Sequence, residues 1–138
     1  METENSDPEE ICREFVCPAE TTFQIIGGKW RPRILWELAR RGDPMRFGAL
    51  QTALGEISVK TLTHNLRELE TMNLVVRQDF GEFPPRVEYA LTDFGKSLKP
   101  IFETTYDWIA ANQNAIRQII SDNPSKDWLV RREADLDG

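Results

Sequence analysis

A mainly α fold carrying one small β-hairpin is the class this sequence predicts. Three observations point there. Apolar residues recur at helical spacing through most of the chain, one pair of alternating segments flanks a Gly- and Pro-rich link, and polar caps and glycine stops punctuate the helical stretches. At 138 residues the chain suits one domain with a real core, and 40% hydrophobic with 29% charged residues is ordinary for a soluble globular protein.

The elements follow in chain order. Residues 1–14 are acidic and polar and are expected to form a poorly ordered N-terminal arm. From Pro18 to Ile26 a short helix is predicted, with Phe23 and Ile26 inward and Gly27-Gly28 as its stop. In KWRPRILWELARRGD, Trp30, Ile34, Leu35 and Leu38 recur at helical spacing, Pro32 fits the first turn, and Arg40, Arg41 and Gly42 mark the exit. After Pro44, MRF reads as a strand of one or two residues. FGALQTAL reads as a helix with Phe47, Leu50 and Leu54 inward.

Gly55-Glu56-Ile57 is the next turn, and Ser58 is the N-cap of a helix running to about Asn73. LVVRQDF alternates Leu74 and Val76 against Val75 and Arg77. RVEYAL alternates Val87, Tyr89 and Leu91 against Arg86 and Glu88, and GEFPP supplies the hairpin tip. Thr92 is placed to cap one long final helix from Asp93, bent or interrupted near its start by Pro100 and ended by SDNP, with the last 14 residues a loose tail. Two helices around a tight turn, followed by a hairpin, make a winged helix-turn-helix.

Charge is unevenly placed. Residues 1–26 carry one Arg and seven acids, residues 27–90 ten Lys/Arg and eight acids, and residues 91–138 six basic and eight acidic residues. The formal charge of -6 therefore belongs to the ends, and the middle is mildly basic. No apolar run approaches the roughly 20 residues needed to span a bilayer. The first ten residues do not read as a secretory signal, so no membrane partner and a cytoplasmic location are expected. There Cys12 and Cys17 would stay reduced. With a single His far away they make a poor zinc site, and neither a metal nor another cofactor is expected.

The helix after Gly55, ISVKTLTHNLRELE, divides its labour. Leu62, Leu66, Leu69 and Asn73 fall on one stripe, and Lys60, His64, Arg67 and Thr71 on the opposite one. A polar helix face is ordinarily only a solvated face, and Glu68 and Glu70 dilute this one. The short helix and tight turn before it and the hairpin after it give it a different meaning: a recognition helix buries one stripe and shows the other to the DNA major groove. Lys60, His64 and Arg67 can donate to guanine or to phosphate oxygens, and Thr61 and Thr63 can hydrogen-bond or lay a methyl on thymine. Ser58 at the helix start completes the helix set, and Arg77 and Arg86 flank the hairpin where it would meet the backbone or minor groove.

The ordered set CPAETTFQIIGGKWRPRILWEL, RFGALQTALGEIS, KTLTHNLRELE, NLVVR and PPRVEYALTDFGKSL, with the following Trp108, resembles the HxlR-type family of bacterial winged helix-turn-helix transcriptional regulators, related to the MarR type. The resemblance covers roughly residues 15–112, taken as the winged helix-turn-helix domain, and leaves 1–14 and 113–138 (the end of the last helix and a tail) outside. It implies a dimer that binds double-stranded DNA and controls nearby genes. The terminal helices would supply the dimer contacts, and two recognition helices would read the half-sites of a palindromic operator. Independently, a stripe from Leu98 to Ile120 is too apolar to leave in water, which also favours a homodimer and makes Tyr106 and Trp108 interface or core aromatics.

Cys17-Pro18 matches the family position that is the sensing thiol in redox-responsive members, while other members respond to small molecules. Cys12 could pair with Cys17 or across subunits, and an idle thiol is the plainer reading of either. A competing function is a winged-helix protein-interaction module without specific DNA binding. A thiol enzyme is disfavoured because the four-residue gap between the cysteines is not a C-x-x-C pair and no nucleophile has an adjacent base.

Overall fold

The computed structural model describes residues 7–15 and 17–130. Its elements are α1 (Pro8–Glu14), α2 (Pro18–Ile26), α3 (Arg31–Arg41), β1 (Met45–Arg46), α4 (Phe47–Leu54), α5 (Val59–Thr71), β2 (Val75–Asp79), β3 (Val87–Leu91), α6 (Asp93–Lys96), α7 (Lys99–Ala111), α8 (Gln113–Asp122) and a 3₁₀ turn (Pro124–Leu129). They fall into two compact units, one ending at Lys99 and one starting at Pro100. The fold is a winged helix-turn-helix, mainly α with a three-stranded antiparallel sheet.

In the first unit the core is what the helical spacing of the sequence implies. Ile34, Leu35 and Leu38 of α3, Leu50 and Leu54 of α4 and Leu62, Leu66 and Leu69 of α5 are all buried. Trp30, Phe47 and the strand residue Val87 are half-buried at its margin. The strand after Pro44 is not isolated. β1 pairs with β3, Met45 opposite Tyr89, so the order is β1-β3-β2 with β3 in the centre. β2 runs antiparallel to β3 with Val75 opposite Leu91 and Arg77 opposite Tyr89. The tip is set by Gly81 at φ 66, whose N–H donates to Asp79 Oδ1 at 2.9 Å.

Several expectations are corrected. Residues 8–14 of the N-terminal arm are a helix, because Asp7 accepts from the Glu9 N–H, Pro8 opens the turn, and Glu9 and Arg13 suit the two ends of the dipole. Residues 1–6 and 131–138 lie outside the described residues. Phe23 is 67% exposed, since α2 buries only its last residue, Ile26. Asn73 is not on the α5 stripe; it turns the chain at φ 57, and the Leu74 N–H closes the helix by donating to the Leu69 carbonyl. Leu74 is fully buried and precedes β2, which starts at Val75. Val75 is also buried, and Val76 is 49% exposed.

The single long terminal helix is replaced by α6, α7 and α8. Thr92 does cap the first, accepting from the Gly95 N–H at 2.9 Å. The interruption expected near Pro100 is found: without an N–H, Pro100 cannot donate to the Lys96 carbonyl and continue α6, but it fits a first turn, so α7 starts afresh at Lys99-Pro100. At Asn112 the side chain donates to the Trp108 carbonyl at 2.8 Å, replacing the backbone donor and ending α7. Part of the expected tail is the 3₁₀ turn Pro124–Leu129.

Candidate nucleic-acid interface

The turn between α4 and α5 is held from three sides. Gly55 takes φ 83, a left-handed value that a side chain would strain. Gln51 Nε2 donates to the Ile57 carbonyl at 3.1 Å, and Arg33 reaches from α3 to donate to the Leu54 carbonyl at 2.9 Å. Ile57 is buried under the turn. The Ser58 hydroxyl then accepts from the Thr61 N–H at 3.1 Å and donates to Thr61 Oγ1 at 2.9 Å, which makes Ser58 the cap of α5.

With Leu62, Leu66 and Leu69 buried, Lys60, His64 and Arg67 are exposed together, and Thr61 and Thr63 are half-buried beside them. Among the described residues, none of the three basic groups is in an ion pair. Glu68 does not subtract from this face, because its carboxylate is 3.5 Å from the Arg31 guanidinium of α3. Val59 at the first helical position is 59% exposed. Its spacing from Leu62 and Leu66 suggests burial, and only its place at the exposed end of α5 marks it as available to a partner.

Thr63 and Arg67 of α5 meet Arg77 of β2 in one open groove of about 550 Å³, completed by Phe47, Glu70, Val87 and Tyr89. These four had no functional reading in the sequence. The groove exists because Arg77 lies opposite Tyr89 in the β2–β3 register, which places both on the side of the sheet that faces α5. Arg77 is exposed, with Asp79 at 3.7 Å. Arg86 is held differently: it is half-buried, lies 3.6 Å from Glu82 and 3.3 Å from Glu88, and stacks at 4.0 Å on the Phe80 ring. The structure thus brings Thr63, Arg67 and Arg77 together, while Arg86 is engaged within the wing. Phe83 at the wing tip is 97% exposed and was not singled out.

Cys12 in α1 and Cys17 at the N-cap of α2 are both exposed free thiols. No helix among the described residues is long and apolar enough to cross a membrane.

The HxlR-like helix-turn-helix family model matches residues 25–117. An uncharacterized HTH-type transcriptional regulator of Halalkalibacterium halodurans is 43% identical over 97 residues, spanning 70% of this chain and 85% of that protein. A second, YdzF of Bacillus subtilis, is 41% identical over 98 residues, 71% of this chain and 89% of its own. Among solved structures, the redox regulator HypR in its reduced form superposes with a TM-score of 0.69 at 33% identity, covering 74% of this chain and 99% of that one. The reduced transcriptional regulator YodB from B. subtilis gives 0.60 at 33% identity, covering 69% and 92%. With its motifs in order and its turn, capped helix and wing in place, the chain belongs to the HxlR-like helix-turn-helix family of transcriptional regulators.

Proposed function

We propose that the chain is a sequence-specific DNA-binding transcriptional regulator that acts as a homodimer on palindromic sites in double-stranded DNA and answers to an oxidant or a small molecule. One observation carries the DNA reading: α5 buries its leucines and exposes Lys60, His64 and Arg67 without ion pairs, beside a groove shared with Arg77 of the wing. Unpaired cations on one face neutralise phosphates and release counterions, and the first turns of such a helix address base edges. Thr61 and Thr63 lie on that approach, and Ser58 contributes as the cap.

The homodimer is supported by Tyr106, Trp108 and Ile109 of α7 and Ile119 of α8, all exposed apolar side chains in the second unit. The response to an oxidant is supported by the exposed Cys17 thiol at the start of α2. It is also supported by the likeness to HypR, described as a redox regulator.

Purified protein incubated with sheared genomic DNA tests this, with the bound fraction sequenced with and without a thiol oxidant. The expected outcome is a small set of palindromic sites, lost with Arg67→Ala, and released by oxidant in the wild type but not in Cys17→Ser. Diffuse, salt-labile recovery in every arm contradicts site-specific binding and favours a protein-interaction module.

A further inference from the structure

Arg31 opens α3 and reaches two other helices at once. Its Nη1 donates to the Gln24 carbonyl at 3.0 Å and lies 3.5 Å from the Ile25 carbonyl. Its Nη2 stands 3.5 Å from Glu68 Oε2 on α5. Carbonyls 24 and 25 belong to the last turn of α2, where a helix runs out of internal donors. α2 leaves through extended backbone at Gly27, and among the described residues no backbone N–H caps it. Arg31 supplies the missing donor and sets a cation against the negative end of that helix.

The arrangement is more than an exposed ion pair. The Arg31 side chain is only 25% exposed, and its planar fork fixes the direction in which each nitrogen points. Glu68 follows Arg67 directly in α5. Any roll or slide of the helix that moves one carries the other. The basic face is therefore registered, through Glu68 and Arg31, to the end of α2, the helix whose N-cap residue is Cys17.

We propose that Arg31 is a positioning residue that couples α2 to the recognition helix and so sets the pose in which Lys60, His64 and Arg67 meet DNA. The inference rests on the DNA-binding reading above. It is tested with Arg31→Gln, Glu68→Gln, the double variant and Arg31→Lys, measuring affinity for a selected duplex by fluorescence anisotropy across a salt series. Each single glutamine variant is expected to weaken binding roughly 2- to 30-fold. The double variant should lose no more than the weaker single, because both break one link.

The slope of log affinity against log salt should stay at its wild-type value, since Arg31 is turned toward α2 and Glu68 and neutralises no phosphate. Arg31→Lys, a cation without the fork, should recover only part of the loss. Unchanged affinity, additive losses, or a slope reduced by about 0.9 for each chain bound (the mark of a direct phosphate contact) each overturn the proposal. Should the wild type itself select no site, hydrogen exchange on the free protein decides. Coupling requires that Glu68→Gln speed exchange in the last turn of α2 as well as in α5, and a change confined to α5 overturns it.

Discussion

Ser58 and Arg67 lie on the same helix and do separable work. Ser58 spends its hydroxyl on the Thr61 N–H and Oγ1, so its first effect is on folding. Ser58→Ala should lower stability by about 1 kcal/mol in thermal unfolding, with Ser58→Asp close to wild type. Arg67 has no such internal task, and Arg67→Ala should leave the melting temperature nearly unchanged while weakening a selected duplex by about 1–3 kcal/mol. The two wing arginines separate as well. Arg77 is exposed in the groove beside Arg67, whereas Arg86 is occupied by Glu82, Glu88 and the Phe80 ring. Arg77→Ala should therefore reduce the salt dependence of DNA binding more than Arg86→Ala. Equal reductions in parallel titrations would contradict that assignment.

At the scale of elements, the helix-turn-helix stands on buried leucines and on close backbone approaches. Leu66 is 1% exposed, and Leu66→Ala should cost about 2–5 kcal/mol in denaturant unfolding. Gly95 of α6 is tighter still, because a Cβ built there would stand 2.1 Å from the Leu74 carbonyl oxygen. Gly95→Ala must push α6 away from the start of the wing, and the protein should unfold at markedly lower denaturant concentration. These were the legible parts of the fold. Three to four residue spacing marked α3, α4 and α5, Ser58 and Thr92 marked the caps of α5 and α6, and alternation marked the hairpin.

What escaped depended on long-range or competing local contacts. The period of Leu98 to Ile120 continues across Asn112, so nothing in apolar spacing shows that the Asn112 side chain captures the Trp108 carbonyl and splits the helix. The β1–β3 pairing depends on a partner more than forty positions away in sequence. The same limit applies to the site. The Lys60, His64 and Arg67 face is a one-helix pattern and could be read directly. The groove that adds Arg77, Tyr89 and Phe47 requires the sheet register. The compensation of Glu68 by Arg31 requires two helices to meet.

For the whole molecule, a formal charge of -6 is compatible with a DNA partner because the acids gather toward the termini and residues 27–90 hold more basic than acidic groups. The second unit leaves Tyr106, Trp108 and Ile109 exposed, and light scattering on a sizing column should return about twice the chain mass of 15.9 kDa. A mass equal to one chain at micromolar concentration would remove the homodimer.

The most direct measurement is the affinity of wild type and of the Lys60→Ala/Arg67→Ala double variant for a selected duplex, followed from low to high salt, with circular dichroism to verify the fold. Loss of two phosphate-neutralising cations per chain should flatten the slope of log affinity against log salt by about 1.8 for each chain bound. Identical slopes and affinities in a folded double variant would contradict the assignment of this face to DNA.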